Sequence, residues 1–139
     1  MSFFDFWTEA IAIDLGTANT LIIHHDKVVV DSPSIVAIDQ KSGKIIAVGK
    51  EANMMHGKTH KNIETVRPLK DGVIADFNAS EQMIGQLIKS IPTLNKKFYS
   101  PALKMVICIP SGITEVEMRA VRESAERVNG KEVYLIHEP

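Results

Sequence analysis

The sequence predicts an α/β fold: a mixed β-sheet with a βαβ unit, and a small α+β subdomain inserted before that unit. Short apolar runs separated by turn residues fill Ile11 to Ile38, as in a meander of strands. Further on, the apolar run "KMVICIP" is followed by a capped amphipathic stretch and then by "EVYLI", the order of a βαβ unit. From about Asp39 to Asp71 the chain becomes polar and loop-rich, which marks the insertion.

Taken in order, the chain begins with "MSFFDFWTEA", where three phenylalanines and the only tryptophan fall within seven residues. The stretch has no basic leader, long apolar core or cleavage site, so it does not read as a signal peptide. On a helix, Phe3, Phe6, Trp7 and Ala10 would share a face against Asp5 and Glu9, the pattern of a short interfacial anchor. The alternative is that these aromatics pack on the domain's own core or on a neighbour. Acidic residues count against anionic lipid, which attracts Lys and Arg.

Strands follow: "IAID", "TLIIHH", a turn at Asp26-Lys27, "VVVD", and "SIVAI" after Pro33. "KIIAVG" comes after a turn in which Gly43 supplies permissive backbone. "KEANMMHGK" reads as a short helix. Pro68 and Gly72 break "HKNIETVRPLKDGVIADF" into strand and loop. "NASEQMIGQLIKSI" places Met83, Ile84, Leu87, Ile88 and Ile91 at helical spacing before Pro92 closes it. "KMVICIP" is expected to be a strand buried on both faces. "TEVEMRAVRESAERVNG" carries a capping box, Thr114 with Glu117, and stops at Asn129-Gly130. "EVYLI" then completes the unit, with the parallel pairing and right-handed crossover such units show.

A chain of 139 residues, 45% hydrophobic and 24% charged, is long enough for one domain with a core. Its 16 basic and 17 acidic residues give a net charge of -1, so no electrostatic argument points to nucleic acid. The single cysteine, Cys108, has no intramolecular disulfide partner, which suits a reducing compartment such as the cytoplasm. No segment approaches the ~20 apolar residues of a spanning helix.

Candidate chemistry is sparse. "ANMMHGKT", Ala52 to Thr59, matches a P-loop pattern if Ala opens it, with Lys58 and Thr59 in the phosphate and magnesium positions. A P-loop needs a strand before it and a helix after it, and here the order is wrong. His56 and His60 are four apart but have a glycine between them and no third ligand nearby. His24 and His25, adjacent on a strand, are expected on opposite faces and unable to chelate together. Nothing in the sequence activates Cys108 as a nucleophile.

The turn at "IDLGTANT" is the better candidate. Gly16 and Thr17 follow a strand end where backbone amides and a hydroxyl can meet a phosphate, and Asp14 can hold hydrated magnesium. A plain hairpin turn is the alternative. Glu138, emerging from the last strand in "LIHEP", can orient or deprotonate a water beside the same phosphate.

"AIDLGTANTLI", "PSIVAI", "NIETVRPLKDGVIADF", "PSGITEVEMRAVRESA" and "VYLIHEP" together resemble the start of the MreB family of bacterial actin homologues, over nearly the whole chain from Ile11. The Asp-x-Gly-Thr loop is shared with sugar kinases and DnaK-type chaperones; "RPLKDGVIADF" resembles MreB specifically.

The resemblance implies an actin-like, ribonuclease-H-like ATPase fold. Residues 11–32 and 75–139 would form an incomplete subdomain IA, residues 33–74 subdomain IB, and residues 1–10 an amphipathic aromatic segment. It implies a first phosphate loop for ATP at Asp14, Gly16, Thr17, Ala18 and Asn19, with magnesium held by Asp14 through water and the attacking water positioned by Glu138. It also implies self-assembly into filaments at the inner face of the cell membrane, attached through Phe3, Phe4, Phe6 and Trp7, and association with the cell-wall elongation machinery that maintains rod shape. His137 stands where the family usually has Glu, and the N-terminal segment lacks the usual basic residues. The match ends before the family's second phosphate loop and adenine-holding domain, so this chain is expected to bind nucleotide weakly or not at all, and to self-associate through uncovered apolar sheet. A superfamily phosphotransferase and a nucleotide-independent partner-binding module are the competing readings. A second phosphate loop in the continuing gene would disfavour the module, and ATP-dependent pelleting would disfavour the phosphotransferase.

Overall fold

The computed structural model describes residues 8–58, 62–95 and 102–138. Phe3, Phe4, Phe6, Trp7, Thr59 and His60 lie outside the described residues. The main sheet has five strands: β1 (Thr8–Leu15), β2 (Asn19–His24), β3 (Lys27–Pro33), β9 (Ala102–Ile109) and β10 (Gly130–His137). Their order across the sheet is β10-β9-β1-β2-β3. β1 pairs antiparallel with β2 and β2 with β3, whereas β9 runs parallel to both β1 and β10. The sheet is therefore mixed, as expected.

Between β3 and β9 lie a second sheet, a hairpin and three helices. β4 (Val36–Asp39), β5 (Ile45–Val48) and β6 (Ile63–Val66) form a three-stranded antiparallel sheet in the order β5-β4-β6. Gly43 turns the chain between β4 and β5 at φ +71°, where a side chain would be strained. α1 (Lys50–Met55) packs on this sheet with Ala52 fully buried. β7 (Leu69–Lys70) and β8 (Val73–Ile74) form a minimal hairpin.

α2 (Phe77–Lys89) starts at Asp76, whose carboxylate accepts the Ala79 N–H at 2.9 Å, satisfying one of the orphan donors of the first turn. The short α3 (Pro92–Asn95) follows. α4 (Glu115–Arg127) joins β9 to β10 and is capped by Thr114, whose hydroxyl oxygen accepts the Glu117 N–H at 3.2 Å. Its stop is an asparagine in the left-handed region, Asn129 at φ +70°.

α2 and α4 cover the same face of the main sheet. Ile11, Ile13, Leu15, Met105, Ile107 and Ile109 from the strands form one buried cluster with Met83, Ile84, Val121 and Ala125 from the helices. No helix among the described residues covers the other face, on which Ile23, Val106, Tyr134 and Ile136 are exposed. This corrects the expectation that "KMVICIP" is buried on both faces. Alternate residues of β9 are buried, and the residues between them lie toward a side that no described helix covers.

A second correction concerns the β2–β3 turn. His24 pairs with Lys27, so the turn residues are His25 and Asp26, at φ +51° and +59°. Positive φ at both central residues is the geometry of a type I′ hairpin. His25 thus belongs to the turn, strand alternation does not apply to it, and its ring stacks on that of His24 with centroids 3.8 Å apart.

Candidate nucleotide site

The parallel strands β1, β9 and β10 bring their carboxyl ends to one edge of the sheet, the usual position for ligands in α/β folds. Asp14 is the register partner of Cys108, and Cys108 is the partner of Ile136. Register partners share a face, so Asp14, Cys108 and Ile136 all lie on the open side of the sheet. Glu138, two residues past Ile136, continues the same alternation, and its N–H donates to the Ile109 carbonyl at 2.9 Å. The ligand atoms of Asp14, Cys108 and Glu138 all lie within 4.8 Å of one another.

Asp14 and Glu138 are exposed and Cys108 is half-buried. The Cys108 thiol is pushed above its ordinary value, first by burial and then by the negative charges of Asp14 and Glu138. It therefore stays protonated at neutral pH, as an inert thiol between two carboxylates. Two exposed carboxylate oxygens suit a hard, hydrated cation such as magnesium.

The turn from β1 to β2 lies beside this pair. Gly16 donates its N–H to the Asn19 carbonyl at 3.1 Å, so that amide is used inside the turn and does not face outward. A Cβ on Gly16 would come within 2.4 Å of the same carbonyl oxygen, which requires glycine here. Thr17, Ala18 and Asn19 are exposed. Ser34, just past β3, pins the loop from behind: its hydroxyl donates to the Gly16 carbonyl at 2.7 Å and its N–H to the Ala18 carbonyl at 2.8 Å. The Thr20 and Ser34 hydroxyls, both 0% exposed, also contact each other at 2.8 Å. Sequence reasoning missed Ser34, Thr20 and the place of Cys108. Only the strand register brings these residues to the loop.

The other candidates separate from this edge. Gly57 and Lys58 follow the end of α1, with Lys58 donating its N–H to the Met55 carbonyl at 3.2 Å, so the P-loop match has a helix where it needs a strand. His56 contacts the Thr65 hydroxyl through Nδ1 at 2.6 Å.

A family model described as MreB/Mbl protein matches residues 8–139. The chain belongs to the MreB/Mbl family. It is 51% identical over 130 residues to the cell shape-determining protein Mbl of Bacillus subtilis, and 48% identical over 134 residues to the cell shape-determining protein MreB of Haemophilus influenzae. Each match covers 93% of this chain and 38% of the relative, so this MreB/Mbl chain spans well under half the length of those proteins. Among solved structures, MreB5 of Spiroplasma citri bound to ADP superposes with a TM-score of 0.79 at 34% identity, covering 94% of this chain and 38% of that one. The MamK double helical filament matches at a TM-score of 0.75 and 20% identity, covering 95% and 41%, a likeness of fold alone. The fold of this chain is actin-like, as the resemblance implied. No helix among the described residues is long and apolar enough to cross a membrane.

Proposed function

We propose that this chain supplies one wall of an ATP site in an actin-like filament subunit that maintains cell shape. The observation that carries the reading is the convergence of Asp14, Glu138 and the Gly16–Asn19 turn at one edge of the parallel strands. Thr17, Ala18 and Asn19 offer backbone and side-chain donors to phosphate oxygens, and Gly16 permits the tight turn that presents them. Asp14 would hold magnesium through water, and Glu138 would accept a hydrogen bond from a water beside the terminal phosphate and so orient it. Magnesium would supply charge neutralisation at the phosphates. The protein's part is to hold the two carboxylates and the loop in fixed relation: the pairing of β9 with β1 and β10 holds the carboxylates, and the buried Thr20–Ser34 contact holds the loop from behind.

Support comes from relatives named as cell shape-determining proteins and from a neighbour solved with ADP. On this reading residues 33–74 are subdomain IB. Residues 1–10 attach the filament to the inner face of the membrane through Phe3, Phe4, Phe6 and Trp7, close to the wall-elongation proteins it organises. Sedimentation of the full-length gene product with magnesium-ATP tests it. The protein is expected to pellet as polymer and Asp14→Ala to stay in the supernatant; equal solubility of both at all concentrations overturns the filament reading.

A further inference from the structure

We propose that Glu9, His24 and His25 form a binding site for a zinc-class divalent cation, separate from the nucleotide site. The Nε2 atoms of His24 and His25 lie 3.0 and 3.1 Å from the same Glu9 Oε2. All three ligand atoms are within 4.8 Å of one another. Around a tetrahedral zinc with bonds of about 2.0–2.1 Å, ligand atoms stand roughly 3.3 Å apart. The two contacts to Glu9 are therefore close to the spacing the ion needs, and the exposed His25 ring has to swing out of its stack on His24 for both Nε2 lone pairs to meet the ion. Two imidazoles and one carboxylate favour zinc and its first-row neighbours over magnesium or calcium. When the ion enters, each imidazole gives its Nε2 lone pair, and any proton on that atom moves to Nδ1 or to solvent.

The fold builds this site from two elements. Glu9 lies near the start of β1, and His24 pairs with Ile11, two residues further on the same face, a diagonal distance that long side chains span. The turn at positive φ then folds His25 back so that its ring stacks on His24 instead of pointing away. The His24 side chain is 2% exposed, Glu9 20% and His25 68%. The inner ligand is thus fixed by packing, while the outer ligand opens a path to solvent and leaves a fourth position for water. Asp14 lies five residues further along β1 than Glu9, about 16 Å along a strand. An ion here ties the start of β1, immediately after the aromatic N-terminal stretch, to the β2–β3 hairpin.

The test is titration of the untagged chain with Co²⁺, read by visible absorption, and with Zn²⁺, read by calorimetry. One ion per chain with the intense absorption of tetrahedral cobalt is expected, with no displacement by excess magnesium. His25→Ala alters an exposed side chain, so circular dichroism should match that of the unmodified protein. It should weaken Zn²⁺ binding at least about tenfold, which is about 1.4 kcal/mol. Glu9→Gln, a second variant that keeps the side-chain shape, should do the same, and at equal Zn²⁺ the melting temperature of the unmodified chain should rise more than that of either variant. Both variants retain His56, His60, His137 and the Asp14–Cys108–Glu138 cluster. Equal Zn²⁺ affinity in the unmodified and variant chains would assign binding to those residues and overturn the site, as would no binding by any form.

Discussion

Ser34→Ala tests how the phosphate loop is held. The Ser34 hydroxyl is fully buried, donates to the Gly16 carbonyl at 2.7 Å and contacts the buried Thr20 hydroxyl at 2.8 Å. Removing it loses the bond to Gly16, about 1 kcal/mol net, and leaves the Thr20 hydroxyl without that partner at about 1–2 kcal/mol. The expected destabilisation is about 2–3 kcal/mol, a large share of the stability of a small domain. Thr20→Val alone should cost about 1 kcal/mol, because Ser34 keeps its bond to Gly16. The double variant should cost no more than about 1–1.5 kcal/mol, since replacing both partners strands neither. Urea unfolding of all four proteins measures this cycle; with a slope of about 2 kcal/mol per molar, Ser34→Ala moves the midpoint by roughly 1 M. Additive losses, or a Ser34→Ala cost below about 0.5 kcal/mol, would refute the account of the loop as anchored through this pair.

Further predictions follow from burial and charge. Cys108 should alkylate more slowly at neutral pH than a free cysteine, and Asp14→Asn should speed it by removing one of the charges that raise its pKa; an unchanged rate contradicts that cause. Because the folded thiol's pKa is raised, its contribution to stability is present below the unfolded thiol value and declines as pH rises through and above it; Cys108→Ser should flatten that alkaline slope in urea midpoints measured across pH. Met105→Ala, at a fully buried position in the core cluster that the main sheet shares with α2 and α4, should cost about 2–5 kcal/mol in chemical unfolding. Trp7 is the only tryptophan, so its emission reports the N-terminal segment directly; a blue shift with lipid vesicles is expected, and an unchanged spectrum counts against the anchor.

The parts of the fold legible in the sequence are those set by local rules. α4 declared itself through Thr114 and Asn129, and α2 through its run of apolar residues at helical spacing. What failed depends on what lies beyond the segment. The apolar run of β9 carries no sign that only one of its faces is covered. The β2–β3 turn falls at His25-Asp26, without the Asn-Gly or Asp-Gly that usually marks a type I′ hairpin, so the sequence points to a turn one residue late and to opposite faces for the two histidines. At the candidate site, Asp14 and Glu138 could be named from their positions at strand ends. The neighbouring Cys108 and the Ser34–Thr20 support arise from sheet register, which one-dimensional periodicity does not specify.

The most direct test of the nucleotide-site reading is an amide NMR titration of this chain with millimolar magnesium-ATP, alongside Asp14→Ala. NMR detects weak binding, which is what one wall of a cleft should give. The account predicts saturable shifts at Thr17, Ala18, Asn19 and Glu138 that vanish in the variant. Saturable shifts centred elsewhere, or shifts at the loop that persist without Asp14, would contradict it.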